Sequence, residues 1–409
     1  MKVTVTITRG ERMLALRKRR MADSHPFFRG GFRPFFASGA LWALVALTLW
    51  LGALSGTFTL PTHFDPLAWH RHEMLFGFVG AVVAGFLLTA IPNWTGRLPI
   101  AGGPLALLFG LWLAGRASVL LSAQLGTLVA ALLDVGFYVI LAALAAREVF
   151  ASKNRNVPIV LLVLLFAIAN ALDHAAAAGI IDDEGLGTRA AIVIVIMMIS
   201  LIGGRVVPSF TRNWLAKQGA KSGLPTQPGR FDIIVITATA LAMAGWLIAP
   251  FNHSVGIVLV LAAALQLVRL ARWSGVSAWR DPLVLVLHIG YAWVPVGLGL
   301  LGLSIVGTDV PYSSAIHALT AGAMATMILA IMTRATLGHT GRELKASAAT
   351  TMIYALVTIG ALGRVAAPLL PMDYMLAVRL SGMAWGGAFL LFLLVYGPKL
   401  VGPRPDGRP

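Results

Sequence analysis

The chain has 409 residues, of which 58% are hydrophobic and only 12% charged, and its formal net charge is +16. A folded domain of this size has too little polar surface to cover such an apolar excess, which excludes a soluble enzyme, a disordered protein and a nucleic-acid-binding domain. There is no cysteine, so disulfides, thiolate metal sites, iron–sulfur clusters and thioether-linked haem are excluded, and a metal must be held by His, Met or oxygen ligands.

Residues 1–32 form a basic arm without the apolar region of a signal peptide. Its first 20 residues read as a disordered extension that sets topology and touches anionic lipid. No aromatic or Gly-rich pattern accompanies the charge, so nucleic acid is not its partner. Twelve apolar runs follow, each near the length a bilayer helix needs: 34–56, 69–92, 104–122, 126–146, 157–180, 189–208, 231–250, 255–273, 282–304, 312–333, 350–370 and 374–396. Barrel strands would be shorter and would alternate. The fold class is therefore an all-α polytopic membrane protein. Residues 33–400 make one 12-helix domain in the lipid bilayer, and 401–409 form a tail. With the N-terminus cytoplasmic, only Arg71, Arg116, Arg189, Arg364 and Arg379 of the 32 basic residues lie on the outer side, while its loops carry Asp65, Asp182, Asp183, Glu184, Asp309 and Asp373. The positive-inside rule then places both termini in the cytoplasm.

The spans repeat in groups of four. His72 precedes Thr95-Gly96-Arg97 at the same spacing with which His317 precedes Thr340-Gly341-Arg342, and Leu113-Ala114-Gly115-Arg116 has its counterpart in Ala361-Leu362-Gly363-Arg364. The middle copy is fainter. Units near 33–150, 155–274 and 281–400 each hold an even number of helices. All enter from one side, as parallel repeats about an axis along the membrane normal; inverted repeats would need opposite orientations.

Ionisable residues inside spans are costly and point to function. His72 and His317 occupy matching positions on the outer side of spans 2 and 10. Two imidazoles from separate helices can grip a haem from both faces, and the ordinary alternative is an interhelical hydrogen bond. His70 and His72 are two residues apart, so about 200° separates them on a helix. Only one can face a given metal, which leaves His70 as a separate candidate ligand. Arg116 and Arg364 each lie about 9 Å inside the outer end of their span, in the layer of His72 and His317, where guanidinium groups can hold haem propionates. On the cytoplasmic side, His288 in span 9 and His339 just past span 10 are candidates for a second metal, since imidazole suits copper, iron or zinc. His174 follows Asp173 near the outer end of span 5 and reads as a local ion pair. Glu73, Asp134, Asp173 and Asp232 lie at or inside span ends, where partial burial is the ordinary expectation.

The segments Gly31-Phe32-Arg33-Pro34-Phe35-Phe36, Trp69-His70-Arg71-His72-Glu73-Met74-Leu75-Phe76-Gly77, Pro92-Asn93-Trp94-Thr95-Gly96-Arg97, Gly204-Arg205-Val206-Val207-Pro208, Leu287-His288-Ile289-Gly290-Tyr291 and His317 through Arg342 resemble the NnrS family over most of the chain. The resemblance implies a bacterial inner-membrane protein with haem and copper, tied to nitric oxide metabolism; it supplies no ligand assignment. The twelve spans in three parallel units also look like the haem-copper oxidase and nitric oxide reductase architecture, a likeness of fold alone. Span 10 lacks the paired histidines of that class, so its binuclear site is not expected. The leading expectation is a haem b protein that handles nitric oxide, reducing it with electrons from quinol or another donor. A transporter for a metal or small anion using the same histidines, and a non-catalytic haem sensor or protector, stay open beside it.

Overall fold

The computed structural model describes residues 8–183 and 185–407. Among them there is no strand. Twelve helices are long and apolar enough to cross a membrane: Phe32–Leu54, Pro66–Thr95, Gly103–Leu120, Thr127–Ala151, Val157–Ala177, Leu186–Lys217, Arg230–Ile248, His253–Ala271, Pro282–Val306, Tyr312–His339, Ala348–Leu369 and Tyr374–Val401 (spans 1 to 12). The chain is an integral membrane protein. Large apolar side chains such as Leu107, Leu132, Ile233, Leu241 and Leu394 stay exposed on the outer spans, as hydrocarbon solvent permits.

Helix starts follow their caps. Asp65 accepts from the backbone N–H groups of Leu67 (2.8 Å) and Ala68 (3.1 Å) with Pro66 at the first helical position, and Asp281 precedes Pro282 in the same way. These side chains satisfy N–H groups that the helix cannot. Spans 2 and 9 stop at Gly96 (φ 67°) and Gly307 (φ 94°), left-handed positions that suit glycine.

Two expectations are corrected. Spans 2, 6, 10 and 12 run past their apolar windows, so span 6 reaches Lys217 and span 10 includes His339. Backbone hydrogen bonding continues beyond the apolar stretch until a cap or glycine ends it. Within the arm read as disordered, Arg9–Asp23 is helical, started by a capping box in which Thr8 and Glu11 serve each other's backbone. Residues 1–7 of that arm lie outside the described part.

Neighbouring spans pack along the chain, and span 1 closes the ring against span 12. Spans 2 and 10 both reach span 6. Each of these three carries a π-helical stretch: Glu73–Val79, Ile199–Gly203 and Ala318–Met324. Such wide turns often mark functional sites. They recur in the second helix of each expected unit of four, and His72 and His317 each stand immediately before one.

Three polar centres lie between the spans. One is built from spans 2 to 5, one from spans 6 to 9, and one from spans 10 to 12 with spans 1 and 2.

Candidate functional site

The third cleft is open. A cavity of about 270 Å³ is lined by Trp50 of span 1, His70 and Arg71 of span 2, His317 and Thr320 of span 10, Arg364 of span 11 and Trp385 of span 12. Its walls are otherwise largely apolar, the usual make-up of a cofactor pocket. Gly360 lets spans 11 and 12 close on it, because a Cβ there would stand 2.6 Å from the Trp385 backbone nitrogen.

Two histidines enter this cavity in defined states. The Nδ1 of His317 lies 2.7 Å from the Ser313 carbonyl. A carbonyl can only accept, so Nδ1 carries the proton and Nε2 of the neutral ring keeps its lone pair, the arrangement that orients a metal-binding imidazole. The ring of His70 stacks on Trp50 with centroids 4.0 Å apart and 19° between planes. Its Nδ1 is buried without a partner. So are Nε of Arg71 and both Nε and Nη1 of Arg364; the Nη2 of Arg364 donates to Tyr374 at 3.3 Å. Buried polar atoms normally have partners. Several donors orphaned around one cavity fit an anionic, metal-containing ligand.

The first cleft is closed and acidic. His72 is fully buried, with Nδ1 2.7 Å from Asp173 Oδ2 and Nε2 2.9 Å from Asp134 Oδ2. His174 Nε2 lies 3.1 Å from the same Asp134 oxygen, which also accepts from Asn170 Nδ2 at 2.9 Å. Arg116 pairs with Glu73 Oε2 at 2.7 Å and with Asp134 Oδ1, and Trp42 donates to Glu73 Oε2. Thr188 donates to Asp173 at 3.2 Å. Glycines make the room: a Cβ at Gly187 would stand 2.6 Å from the Asp173 backbone nitrogen, and one at Gly115 would stand 3.2 Å from the Asp134 Cα.

The middle cleft is closed and balanced. Arg269 donates from Nε to Asp232 at 2.8 Å and from Nη1 to the Ser200 carbonyl at 3.0 Å and the Tyr291 hydroxyl at 2.9 Å. Tyr291 donates to Gln266, whose amide nitrogen reaches Ser200 and Thr239.

The structure therefore separates the residues that sequence reasoning joined. His317 and Arg364 line the cavity; His72 and Arg116 belong to the acidic cluster, and neither lines the cavity. Both ring nitrogens of His72 are engaged by carboxylates, which leaves none for a haem in the third cleft. In parallel repeats about a membrane-normal axis, matched residues point into matched clefts, and they meet only if they face the axis. The cavity partner of His317 on span 2 is instead His70, on the opposite side of the helix from His72. His174 pairs with Asp134 rather than with its neighbour Asp173. Glu73, Asp134, Asp173 and Asp232 are all buried, beyond the partial burial expected. Elsewhere, His288 Nε2 is 2.8 Å from the Thr211 hydroxyl, while the His339 ring packs 5.5 Å from that of Phe32. No hydrogen bond or ring contact joins these two histidines among the described residues.

Arg71, which enters the sequence pattern only as one of the outer-side charges, lines the cavity, and Asp134 pairs with His174. The available signal was Arg116 and Asp134, opposite charges in adjacent apolar spans near their outer ends, which must find each other or pay for burial alone.

A family model described as NnrS protein matches residues 26–404. The chain belongs to the NnrS family. No curated protein matches it. The match begins after the basic helix Arg9–Asp23 and takes in all twelve spans. Membership makes this a nitric-oxide-related membrane protein of a family that is generally metal-binding. The buried His72, Asp134 and His174 have donor atoms all within 4.8 Å of one another and could hold a metal ion.

Proposed function

We propose that this NnrS-family protein binds a b-type haem in the cavity between spans 2 and 10 and handles nitric oxide there. We place it in the bacterial inner membrane with both termini cytoplasmic, an orientation that puts the cavity in the outer half of the bilayer. One observation carries the reading: a His317 imidazole with a bare Nε2 shares one cavity with His70 and with unpartnered arginine nitrogens. His70 and His317 would ligate the iron, and Arg71 and Arg364 would hold the propionates by charge-assisted hydrogen bonds. The bound haem supplies an iron that takes nitric oxide and exchanges electrons. Trp50 orients His70 by stacking, the Ser313 carbonyl fixes the tautomer of His317, and the apolar walls keep water from the site. Electrons come from quinol or a separate donor. Copper, expected with His288 and His339, gains no support from their separate neighbours.

If both His70 and His317 held the iron, nitric oxide would compete with a histidine for it. This favours a second reading beside reduction, a sensor or protector in which nitric oxide displaces a histidine. Anaerobic nitric oxide consumption by purified protein with reduced quinol separates the two. Sustained turnover supports a reductase, and uptake that stops at one equivalent per haem supports a sensor. Protein from haem-sufficient cells that shows no Soret band overturns both.

A further inference from the structure

Three carboxylates and one guanidinium meet in the acidic cluster of spans 2 to 5, so the charge balance there turns on the imidazoles of His72 and His174. Glu73, Asp134 and Asp173 surround one guanidinium, that of Arg116, and all four side chains are at least 94% buried. Two negative charges are therefore in excess if the imidazoles are neutral, and uncompensated buried charge costs several kcal/mol per ion, roughly. The hydrogen bonds are short in the same sense. A neutral His72 has one N–H for two carboxylates, so with Nδ1 donating to Asp173, its bare Nε2 stands 2.9 Å from the acceptor Asp134 Oδ2. Two acceptors at that distance need a proton or a metal between them. Two further oxygens lack any partner although their residues are fully buried: Oδ1 of Asn170, whose amide nitrogen bonds Asp134, and Oε1 of Glu73.

We propose that His72, His174 and Asp134 bind one divalent first-row metal ion, distinct from the cavity of spans 10 to 12. Two imidazoles and one carboxylate are the donor set of mononuclear iron(II) sites that keep positions open, and zinc or manganese are its chemical competitors. The spacing fits. Donor atoms 2.9 and 3.1 Å apart match neighbouring corners of a coordination shell with bonds of about 2.1 Å. Asp173 on the far nitrogen of His72 supplies the carboxylate–histidine–metal relay that fixes tautomer and ring orientation. Asn170 offers an oxygen once its amide turns. With both imidazoles neutral, a divalent ion brings the cluster to neutrality. The proposal stands apart from the haem reading, because its ligands do not line the cavity.

The test is metal content of the purified full-length chain, chelated and then loaded anaerobically with iron(II), with haem measured separately on the same samples. The expected result is one non-haem iron per chain and a raised melting temperature on loading. His174→Ala loses that iron and keeps its haem, while His317→Ala does the reverse. Asp173→Asn, which leaves all three ligands in place, weakens iron(II) binding by about 10–100-fold. If His174→Ala is not recovered folded, His174→Gln and Asp173→Asn carry the test. Wild-type protein that takes up no non-haem iron, or variants that hold as much as wild type, overturn the proposal. Wild-type protein that carries the non-haem iron and no haem would sink the haem reading and leave this one standing.

Discussion

The acidic cluster around Asp134 and the network around Arg269 are both buried between spans, yet they differ in completeness. Arg269 faces one carboxylate, Asp232, and its remaining contacts are neutral acceptors that are themselves bonded onward. Around Asp134 three carboxylates face one arginine, and buried oxygens of Glu73 and Asn170 go unpaired. A buried network that satisfies itself holds helices together, whereas one that leaves charge and donors unmatched is shaped for something it does not itself contain. The open cavity carries the difference further, with orphaned nitrogens on His70, Arg71 and Arg364.

That contrast can be broken by substitution. The largest expected effect is at the balanced network. Arg269→Met leaves the buried Asp232 carboxylate without its charge partner and should cost about 3–5 kcal/mol, read as a fall in melting temperature in detergent. The double variant Arg269→Met/Asp232→Leu should recover most of it, and a silent single variant would show that the pair is not structural. Gly187→Ala drives a Cβ against the Asp173 backbone, and overpacking of this kind costs about 1–3 kcal/mol. Unchanged stability there would mean that spans 5 and 6 are free to separate. Arg364→Ala should weaken haem retention by about tenfold, the worth of one charge-assisted hydrogen bond, with no loss of stability in the haem-free protein. Thr211→Val removes only the partner of His288. It should cost about 1 kcal/mol and leave haem content and metal content untouched; a change in either would restore His288 as a ligand.

The fold was legible because bilayer helices announce themselves. Apolar runs bounded by Asp65-Pro66, Asp281-Pro282 and Gly96 marked span ends to within a few residues, and misjudged mainly the polar extensions of spans 6 and 10. The site was half legible. The opposition of His70 to His72 follows from helix geometry, and the two do face different surroundings. What periodicity could not supply was direction about the bundle axis. Repeat matching aligned His72 with His317, and each stands just before a π-helical stretch. It also sends them into different clefts. The pairing of His70 with His317 exists only once span 10 closes against spans 1 and 2, a relation between the ends of the chain that no local pattern contains.

The account rests on which histidine of span 2 serves the cavity. The most direct measurement is the absorption spectrum, oxidised and dithionite-reduced, of purified His70→Ala, His72→Ala and His317→Ala. Loss or displacement of the Soret band in the His70 and His317 variants, with a wild-type spectrum per folded chain in His72→Ala, is the predicted result. A normal band in His70→Ala together with its loss in His72→Ala would contradict the account and return the iron to the acidic cluster.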